Sequence, residues 1–462
     1  MRHVFTICTA AALFSTFYNS ANADSWIIKG TIVTPDTVIS SGSVVVTDQK
    51  ISDVGTSVAT PPGAREIPIT GIVLPGFINL HDHLVWNMLP RWSPARKFSN
   101  RYEWQDFPDY DRLMRTPQGK MMTDGLGCEA DIFAEVKALI GGATSVVGSD
   151  GRSKPCTQGL ARNLDLTPDF PPFPPDPQPC PGDSSAFPPD AANVVAYEIF
   201  PLELPDDKIT YYQCELKSGR LRSLIIHLSE GASTDSSAHR EFRMLKQRKI
   251  LGQNILIVHG SALAYADFMD MASNGMGLVW SPRSNEELYG STTNIAAAID
   301  AKVPIAVAPD WSPTGSAGML QELNFINTNF TYFKSDVLVQ KATSIPAQLA
   351  RLDGRIGTIA KDKYADLVIL RPRPNTVTPY DSIVISTAAD VELVMVGGMP
   401  MYGDFDTMKQ IVPPGTLYPL TVCGTQKGIN LQGFSEGWPD VLKKLDAELE
   451  RYGIQTASFE CD

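Results

Sequence analysis

Short apolar segments alternate with amphipathic segments through the middle of the chain. Apolar runs rich in β-branched residues, such as 223–227 and 254–259, predict buried strands. Segments with apolar residues on a 3.6-residue period, such as 129–140 and 234–250, predict helices between them. Repeated strand–helix units indicate an α/β fold with a parallel sheet. Their number indicates a closed (β/α)8 barrel of the TIM type.

Both ends of the chain show a strand-only pattern instead. Short β-branched runs with turn residues between them fill residues 25–70 and return at 357–359, 365–370 and 391–396. Strands from the two ends pair most simply with each other, which predicts a small composite β-sandwich domain formed from both chain ends. The predicted organisation is a signal peptide at 1–23, the composite domain at 24–70 and 355–435, the barrel at 71–354 and a C-terminal extension at 436–462.

Two segments do not fit either pattern. Ten prolines between residues 166 and 192 exclude a helix or a central strand there, so we predict an inserted surface loop. Residues 86–104 are rich in tryptophan and arginine and too irregular for a helix. They form either the lining of a pocket above a strand end or an ordered surface loop.

The N-terminus and the cysteines indicate the cellular compartment in which the protein resides. A basic start, an apolar run and the small-x-small triplet 21–23 predict a signal peptide, and hence a secreted or periplasmic protein. Its removal would leave six of the seven cysteines, an even number typical of disulfides in exported proteins. Six cysteines allow fifteen pairings. Cys156 with Cys180, stapling the insertion, and Cys423 with Cys461, holding the tail, are two that we consider.

Charge and hydropathy limit the partners. The formal net charge of -12 argues against a nucleic-acid surface, and no apolar run is long enough to span a membrane. We expect a small-molecule substrate, and a homo-oligomer remains open.

Four of the chain's six histidines stand directly after apolar strand runs. His81 and His83 are two residues apart, so in an extended strand their imidazoles point to one face. His227 and His259 end two further runs, and Asp310 ends another. Barrel enzymes carry their chemistry at the carboxyl ends of the strands, so these side chains are expected to converge on a metal site.

Glu230 lies three residues after His227, just past the strand end. A carboxylate there suits proton transfer in a dry pocket. The alternative is a solvated glutamate that caps the next helix. The remaining histidine of the mature chain, His239, falls in a predicted helix among charged neighbours and is interpreted as a surface residue.

These motifs resemble the amidohydrolase superfamily of metal-dependent hydrolases over residues 25–410. The resemblance is carried by 74–83 (LPGFINLHDH), 227–231 (HLSEG), 258–260 (VHG), 281–285 (SPRSN), 308–312 (APDWS), 354–359 (GRIGTI) and 365–368 (ADLV). The family fold is a (β/α)8 barrel with a β-sandwich built from both chain ends, in agreement with the patterns above.

The resemblance also implies how many metals are bound. Two-metal members carry a bridging lysine or carboxylate near strand four, where this chain has no lysine and only Glu198 as a candidate. The His-x-x-Glu motif instead resembles the one-metal branch of cytosine deaminases and chlorohydrolase-like enzymes. The implied cofactor is therefore one divalent metal ion, zinc or iron.

Residue roles follow from the same resemblance. The implied metal ligands are His81, His83, His227 and Asp310. Asp310 would also orient the metal-activated hydroxide, His259 would hydrogen-bond the metal-bound water, and Glu230 would shuttle a proton to the leaving group or to a ring nitrogen. Position near strand ends adds Trp86, Arg162, Ser284 and Asn285 as candidate substrate-binding residues.

The expected activity is hydrolysis of a non-peptide carbon–nitrogen bond by an exported enzyme, with deamination of a nitrogen-rich small molecule as the leading hypothesis. The export signal and the proline-rich insertion argue against a nucleoside substrate. An amidase or peptidase-like hydrolase of N-acyl or cyclic amides is the alternative within enzymes, and a non-catalytic metal-containing binding protein is the alternative outside them.

Overall fold

Strands from both ends of the chain pair in one sheet. A computed structural model describes residues 25–34, 37–149, 160–165, 180, 195–459 and 461. The signal peptide and nearly all of the proline-rich insertion that we predict therefore lie outside the described residues. Within the described residues this sheet has nine strands, and β13 of the C-terminal part pairs antiparallel with β4 of the N-terminal part. Its strands are β1 (Ser25–Val33), β2 (Val38–Thr47), β3 (Lys50–Gly55), β4 (Arg65–Pro75), β13 (Leu367–Leu370), β14 (Val391–Val396), β15 (Met399–Asp404), β16 (Leu417–Val422) and β17 (Thr425–Asn430).

The remaining described strands are parallel to their neighbours and follow one another in chain order. They form a three-stranded sheet, β5-β6-β7, and a five-stranded sheet, β8 to β12. The strands are β5 (Phe77–Asn79), β6 (Ala143–Val146), β7 (Arg162–Asn163), β8 (Val195–Glu198), β9 (Ser223–Leu228), β10 (Ile255–His259), β11 (Gly277–Trp280) and β12 (Ile305–Val307). All are short, and β9, β10 and β11 are wholly buried, as their apolar runs predict.

One buried cluster joins the two parallel sheets. It contains a side chain from each of the eight strands or from the residue just beyond it, including Ile78, Leu164, Val195 and Ala306. The backbone N–H of Asp310, after β12, donates to the carbonyl oxygen of His81, after β5, at 3.2 Å. The first and last of these strands therefore end side by side.

Helices follow most of the parallel strands. They are α1 (Arg101–Gln105), α2 (Pro108–Tyr110), α3 (Thr116–Thr123), α4 (Gly127–Ile140), α5 (Asp206–Ser218), α6 (Ser236–Gln247), α7 (Tyr265–Ser273), α8 (Pro282–Tyr289), α9 (Ile295–Asp300), α10 (Met319–Asn329), α11 (Ser335–Ala342) and α12 (Ser344–Leu349). Three more helices follow strands of the nine-stranded sheet, namely α13 (Pro379–Val384), α14 (Phe405–Ile411) and α15 (Trp438–Glu450). In the part of the chain that is described, no helix has the length and apolarity needed to cross a membrane.

Two local expectations are wrong. Residues 357–359 form a turn and not a strand, because Gly357 adopts a φ of 87° and packs against the carbonyl of Thr343. The aromatic loop after His83 is also more helical than expected, since α1 lies within it. Asn100 starts this helix by accepting hydrogen bonds from the N–H groups of Tyr102 and Glu103.

Disulfides hold two peripheral segments. Cys423 bonds to Cys461, which ties the tail to the turn between β16 and β17, as predicted. Cys180 bonds to Cys214 of α5, so the pairing of Cys180 with Cys156 is wrong. Cys156 itself lies outside the described residues. The Cys180–Cys214 bond joins the proline-rich segment to helix α5.

The C-terminal extension packs on the outside of the parallel sheets. The rings of Trp438 in α15 and Phe459 both stack on Phe133 of α4, with centroids 5.9 and 5.6 Å away. The N–H of Ala457 donates to the carbonyl oxygen of Met88 at 2.8 Å. The tail therefore supports the loop that follows His83.

Candidate functional site

The carboxyl ends of the parallel strands bring four histidines together. His81 and His83 follow β5, His227 lies in β9 and His259 ends β10. The ring centroid of His81 lies 5.6 Å from that of His83, 4.9 Å from that of His227 and 4.7 Å from that of His259. This is the convergence that the strand-end positions predict.

Asp310 completes the cluster from the opposite side. Its Oδ1 lies 3.3 Å from His81 Nε2 and 3.7 Å from His83 Nε2. Both Asp310 and His259 have a positive φ, 65° and 63°, which is rare for residues other than glycine. Such backbone conformations cost about 1–3 kcal/mol each and concentrate at functional sites.

Burial keeps these imidazoles neutral. It lowers the pKa of His81 and His227 well below the ordinary value, and it lowers the pKa of His83 to about 3, with neighbouring histidines adding to each shift. Neutral imidazole is the form that binds metals. Burial also raises the pKa of Asp310 well above its ordinary value, and a cation between these groups would stabilise the charged carboxylate.

The donor atoms fit a divalent metal ion. Ligand atoms of His81, His83 and Asp310 lie within 4.8 Å of one another, and so do those of His81, His227 and His259. Within the described chain, His81 Nε2 and both ring nitrogens of His227 are buried without a well-formed hydrogen bond, and the one polar contact to the His227 ring is with the backbone of Glu198. Buried polar atoms are normally satisfied, so a metal ion accounts for these orphaned nitrogens.

Hydrogen bonds orient two of the rings. Ser281 Oγ lies 2.7 Å from His81 Nδ1, which leaves Nε2 directed at Asp310. Asn285 Oδ1 lies 2.8 Å from His259 Nδ1. Partners of this kind set the tautomer of an imidazole and the direction of its free nitrogen.

Glu230 is buried beside the histidines. It is 4% exposed, and its Oε2 lies 3.8 Å from His259 Nε2. Its Oε1 accepts a hydrogen bond from the hydroxyl of Tyr289 at 2.6 Å, and that hydroxyl accepts one from Trp104 Nε1 at 2.8 Å. The carboxylate is therefore held by one oxygen, while the other faces the histidine cluster. The burial excludes the alternative of a solvated capping glutamate.

A cavity of about 200 Å³ opens onto this cluster. His83, His227, His259, Glu230 and Asp310 line its floor. Aromatic side chains supply much of its wall, namely Trp86, Trp104, Tyr110, Phe200 and Trp311. Of the two interpretations of the loop that follows His83, the pocket-lining one is confirmed for Trp86 and Trp104.

The four candidate substrate-binding residues have different surroundings. Trp86 lines the cavity and stacks on Tyr110. Ser284 and Asn285 do not line it. The Ser284 hydroxyl favours the charged form of Asp310 and lies 2.9 Å from Thr314 Oγ1, whereas Asn285 bonds to His259. Both therefore support other site residues.

Arg162, which we predict from the sequence to bind the substrate, does not line the cavity. It is buried, and its Nε and Nη2 donate to the carboxylate of Asp366 at 2.7 and 3.0 Å. Arg162 is the first residue of β7, so it lies at the amino end of the parallel strands and not at the carboxyl end, where the cavity opens. The ion pair links β7 to the segment before β13, which is a structural role.

Glu198 and His239 lie outside the cluster. Glu198 pairs with Lys208 at 2.7 Å and also bonds to Tyr212, and it belongs to neither candidate metal group of the described chain. His239 is exposed on α6, as predicted. Position at the end of a parallel strand, and not residue type alone, therefore distinguishes the clustered histidines from His239.

Several site residues escaped sequence reasoning. Tyr289 ends α8 and carries no local signal that it would reach Glu230. Trp311 directly follows Asp310 within the motif at 308–312, so its position in the sequence is a signal that it lies at the site. Tyr110 and Arg115 come from a helical segment that only the tertiary structure places over the cavity.

Comparison with known proteins agrees with this site. Residues 223–401 match the model of the Amidohydrolase family. The chain is 25% identical over 195 residues to a 5-methylthioadenosine/S-adenosylhomocysteine deaminase of Desulforudis audaxviator, a match that covers 38% of this chain and 45% of that protein. The chain thus spans about half the length of the curated relatives it matches.

Solved structures share the fold over a longer stretch. An adenosine deaminase from Xanthomonas campestris with bound zinc superposes with a TM-score of 0.66 at 16% identity, over 94% of this chain and 99% of that one. An atrazine chlorohydrolase from Arthrobacter aurescens, in complex with zinc and atraton, superposes with a TM-score of 0.67 at 13% identity, over 92% and 100%. Residues 223–401 therefore match the Amidohydrolase family in sequence, and most of the chain shares the fold of these two zinc-containing enzymes.

Proposed function

We propose that this protein is an enzyme that hydrolyses non-peptide carbon–nitrogen bonds with a bound divalent metal ion, and that it deaminates a nitrogen-rich small molecule. The observation that carries this proposal is the set of buried, orphaned imidazole nitrogens of His81 and His227 beside Asp310 and Glu230. Such a set couples metal ligands to a separate acid–base group. The deaminases among the relatives support the same chemistry.

We assign one metal ion, zinc or iron, to His81, His83, His227 and Asp310. Three imidazoles and one carboxylate are a donor set that both metals accept. When bound, the ion supplies Lewis acidity, which makes water nucleophilic at neutral pH. A second ion lacks support, because Glu198 is engaged with Lys208 and Tyr212.

The acid–base steps fall to residues of the chain. Asp310 faces the cluster, where it orients the nucleophile and accepts its proton. His259, held at Nδ1 by Asn285, presents Nε2 as a hydrogen-bond donor or acceptor for that nucleophile. Glu230, held at one oxygen by Tyr289, takes up the second proton of the attacking water at its other oxygen and passes it to the departing nitrogen. The aromatic walls exclude bulk water from this transfer.

A release assay tests the activity. Metal-loaded protein is incubated with a library of aminated heterocycles and amides, and ammonia and primary amines are measured separately. We expect ammonia release from at least one nitrogen-rich compound. Amine release alone would favour the amidase alternative. Metal-loaded protein without any release across both classes would favour the binding-protein alternative and contradict the proposal.

We also propose three properties of the whole protein. The eight parallel strands form a closed (β/α)8 barrel, supported by their common buried cluster and by the hydrogen bond between the ends of β5 and β12. The composite β-domain and the barrel have the boundaries given by the sequence patterns. The protein is secreted or periplasmic, which its disulfides support.

A further inference from the structure

One wall of the cavity comes from a helical segment with an irregular middle. Helix α2 continues into a π-helical turn, Asp111–Arg115, and then into α3. Within this turn, the N–H of Thr116 donates to the carbonyl oxygen of Asp111, five residues back. Pro117 follows and has no N–H to continue a regular ladder. Such π turns occur often at functional sites because they change the direction of the side chains around them.

The π turn directs a cation into the cavity. Arg115, its last residue, lines the cavity together with Trp104, Gln105 and Tyr110. The guanidinium carbon lies 5.1 Å from the centre of the Tyr110 ring. Among the described residues that line this cavity, Arg115 is the only arginine or lysine, and its side chain is 49% exposed. A permanent positive charge therefore lies at the edge of a cavity whose wall is largely aromatic.

The partners of Arg115 leave it available to a ligand. It donates to the carbonyl oxygen of Gln105 and to the hydroxyl of Tyr110, and its Nη1 lies 3.5 Å from Asp111. The Asp111 side chain is 56% exposed, and an exposed ion pair of this kind is worth at most about 1 kcal/mol. A ligand carboxylate can replace Asp111, because a guanidinium binds carboxylates through paired hydrogen bonds.

We propose that Arg115 determines specificity by binding a carboxylate of the substrate, so that the substrate is an aromatic amine or amide that also carries a carboxylate. The aromatic walls hold the ring, the floor holds the carbon–nitrogen bond and the guanidinium holds the acid group. This inference rests on the proposed function, since it names the substrate class of the same site.

A binding experiment without turnover tests the inference. Metal-loaded protein is titrated by calorimetry with 2-naphthylacetate and with 2-(2-naphthyl)ethanol, its neutral and unreactive counterpart. We expect the acid to bind about tenfold more tightly than the alcohol, the worth of one charge-assisted hydrogen bond. Arg115→Gln should lose this preference and keep its affinity for the alcohol.

The matched control is Arg112→Gln. Arg112 belongs to the same π turn, but its side chain is 67% exposed and pairs with Asp109. This variant should keep the preference for the acid. An acid preference that survives in Arg115→Gln would mean that the carboxylate binds elsewhere, such as at the metal, and would overturn the inference. Equal binding of both probes to the unmodified protein would overturn it as well.

The binding and release experiments distinguish an error in the role of Arg115 from an error in the proposed activity. If the acid preference is absent while metal-loaded protein still releases ammonia in the library assay, only the role of Arg115 is wrong. If the acid preference is present and depends on Arg115 while no compound is hydrolysed, the proposed activity is wrong.

Discussion

At the scale of single residues, the proposed metal ligands and the proposed acid–base group, Glu230, make different contacts. Glu230 touches no candidate ligand at hydrogen-bond distance, and Tyr289 fixes one of its oxygens. His83 and Asp310 lie on the other side of the cluster, within 3.7 Å of each other. Substitutions on the two sides should therefore affect different measurements.

Glu230→Gln should keep the metal and slow turnover. Glutamine preserves the shape of the side chain but cannot deliver the proton, so kcat should fall by roughly 10²–10⁴-fold on a substrate found in the library assay. The fall should appear mainly in kcat, because the proton is needed in the transition state. Asp310→Asn should instead weaken metal binding together with activity. Near-full activity of Glu230→Gln would exclude the proposed proton transfer.

His83→Ala should lose the metal. Elemental analysis of the unmodified protein should give about one zinc or iron ion per chain, as expected for three imidazoles and one carboxylate. Loss of one ligand from a four-ligand site should leave little metal after dialysis. His239→Ala is the control, since His239 is exposed on α6 and should not affect the metal content. Two tightly bound ions per chain would refute the one-metal assignment.

At the scale of elements, helix α10 carries a buried carboxyl that titrates far from its usual range. Burial raises the pKa of Glu322 to about 8, although the Ser316 hydroxyl and the Arg283 N–H donate to it. The folded protein therefore binds more protons than the unfolded chain between the ordinary pKa of glutamate and pH 8. Stability from this residue is highest in acid and decreases as pH rises through that window.

Glu322→Gln removes this titration. The stability of the variant relative to the unmodified protein should rise between pH 5 and pH 8, by an amount on the order of 1–3 kcal/mol, since one pKa unit is worth about 1.4 kcal/mol. Urea unfolding at pH 5, 6.5 and 8 measures the difference. Glu450→Gln, at an exposed position in α15, should show no such trend. A relative stability of Glu322→Gln that falls with pH would contradict the assigned direction.

At the scale of the whole molecule, covalent links attach the peripheral segments to the packed body. Cys423–Cys461 closes a separation of 38 residues and Cys180–Cys214 one of 34. Loops of this length contribute on the order of 4 kcal/mol each through the entropy of the unfolded chain. Cys128 is disulfide-bonded as well. These links are consistent with folding in an oxidising compartment.

Protein recovered from outside the cytoplasm should have no free thiol. Its six mature cysteines should be unreactive toward a thiol reagent under denaturing conditions, and all six should react after reduction. The reduced sample serves as the control for reagent access. Six free thiols before reduction would argue against both the disulfides and export.

Much of the fold could be read from the chain because its signals are local. Strand β10 and helix α4 fall close to their predicted bounds, since apolar runs and a 3.6-residue period are properties of neighbouring residues. The strand-end positions of His81 and His227 likewise follow from a short apolar run and the residue that ends it. The carboxyl ends of parallel strands lie at the same edge of the sheets, which brings these side chains together.

Other features were decided only by tertiary structure. Arg162 is near a strand in sequence, but the sequence does not show where that strand begins. In the structure Arg162 lies at the amino end of the strand, away from the cavity, where it pairs with Asp366. Cys180 pairs with Cys214, and this pairing could not be predicted because an even set of cysteines carries no local rule for its partners. Tyr289 and Arg115 reach the site from helix ends, and their direction depends on packing between elements distant in sequence. The sequence by itself therefore determined which strand ends carry the chemistry. Long-range packing decided which side chains support it and which ones face the substrate.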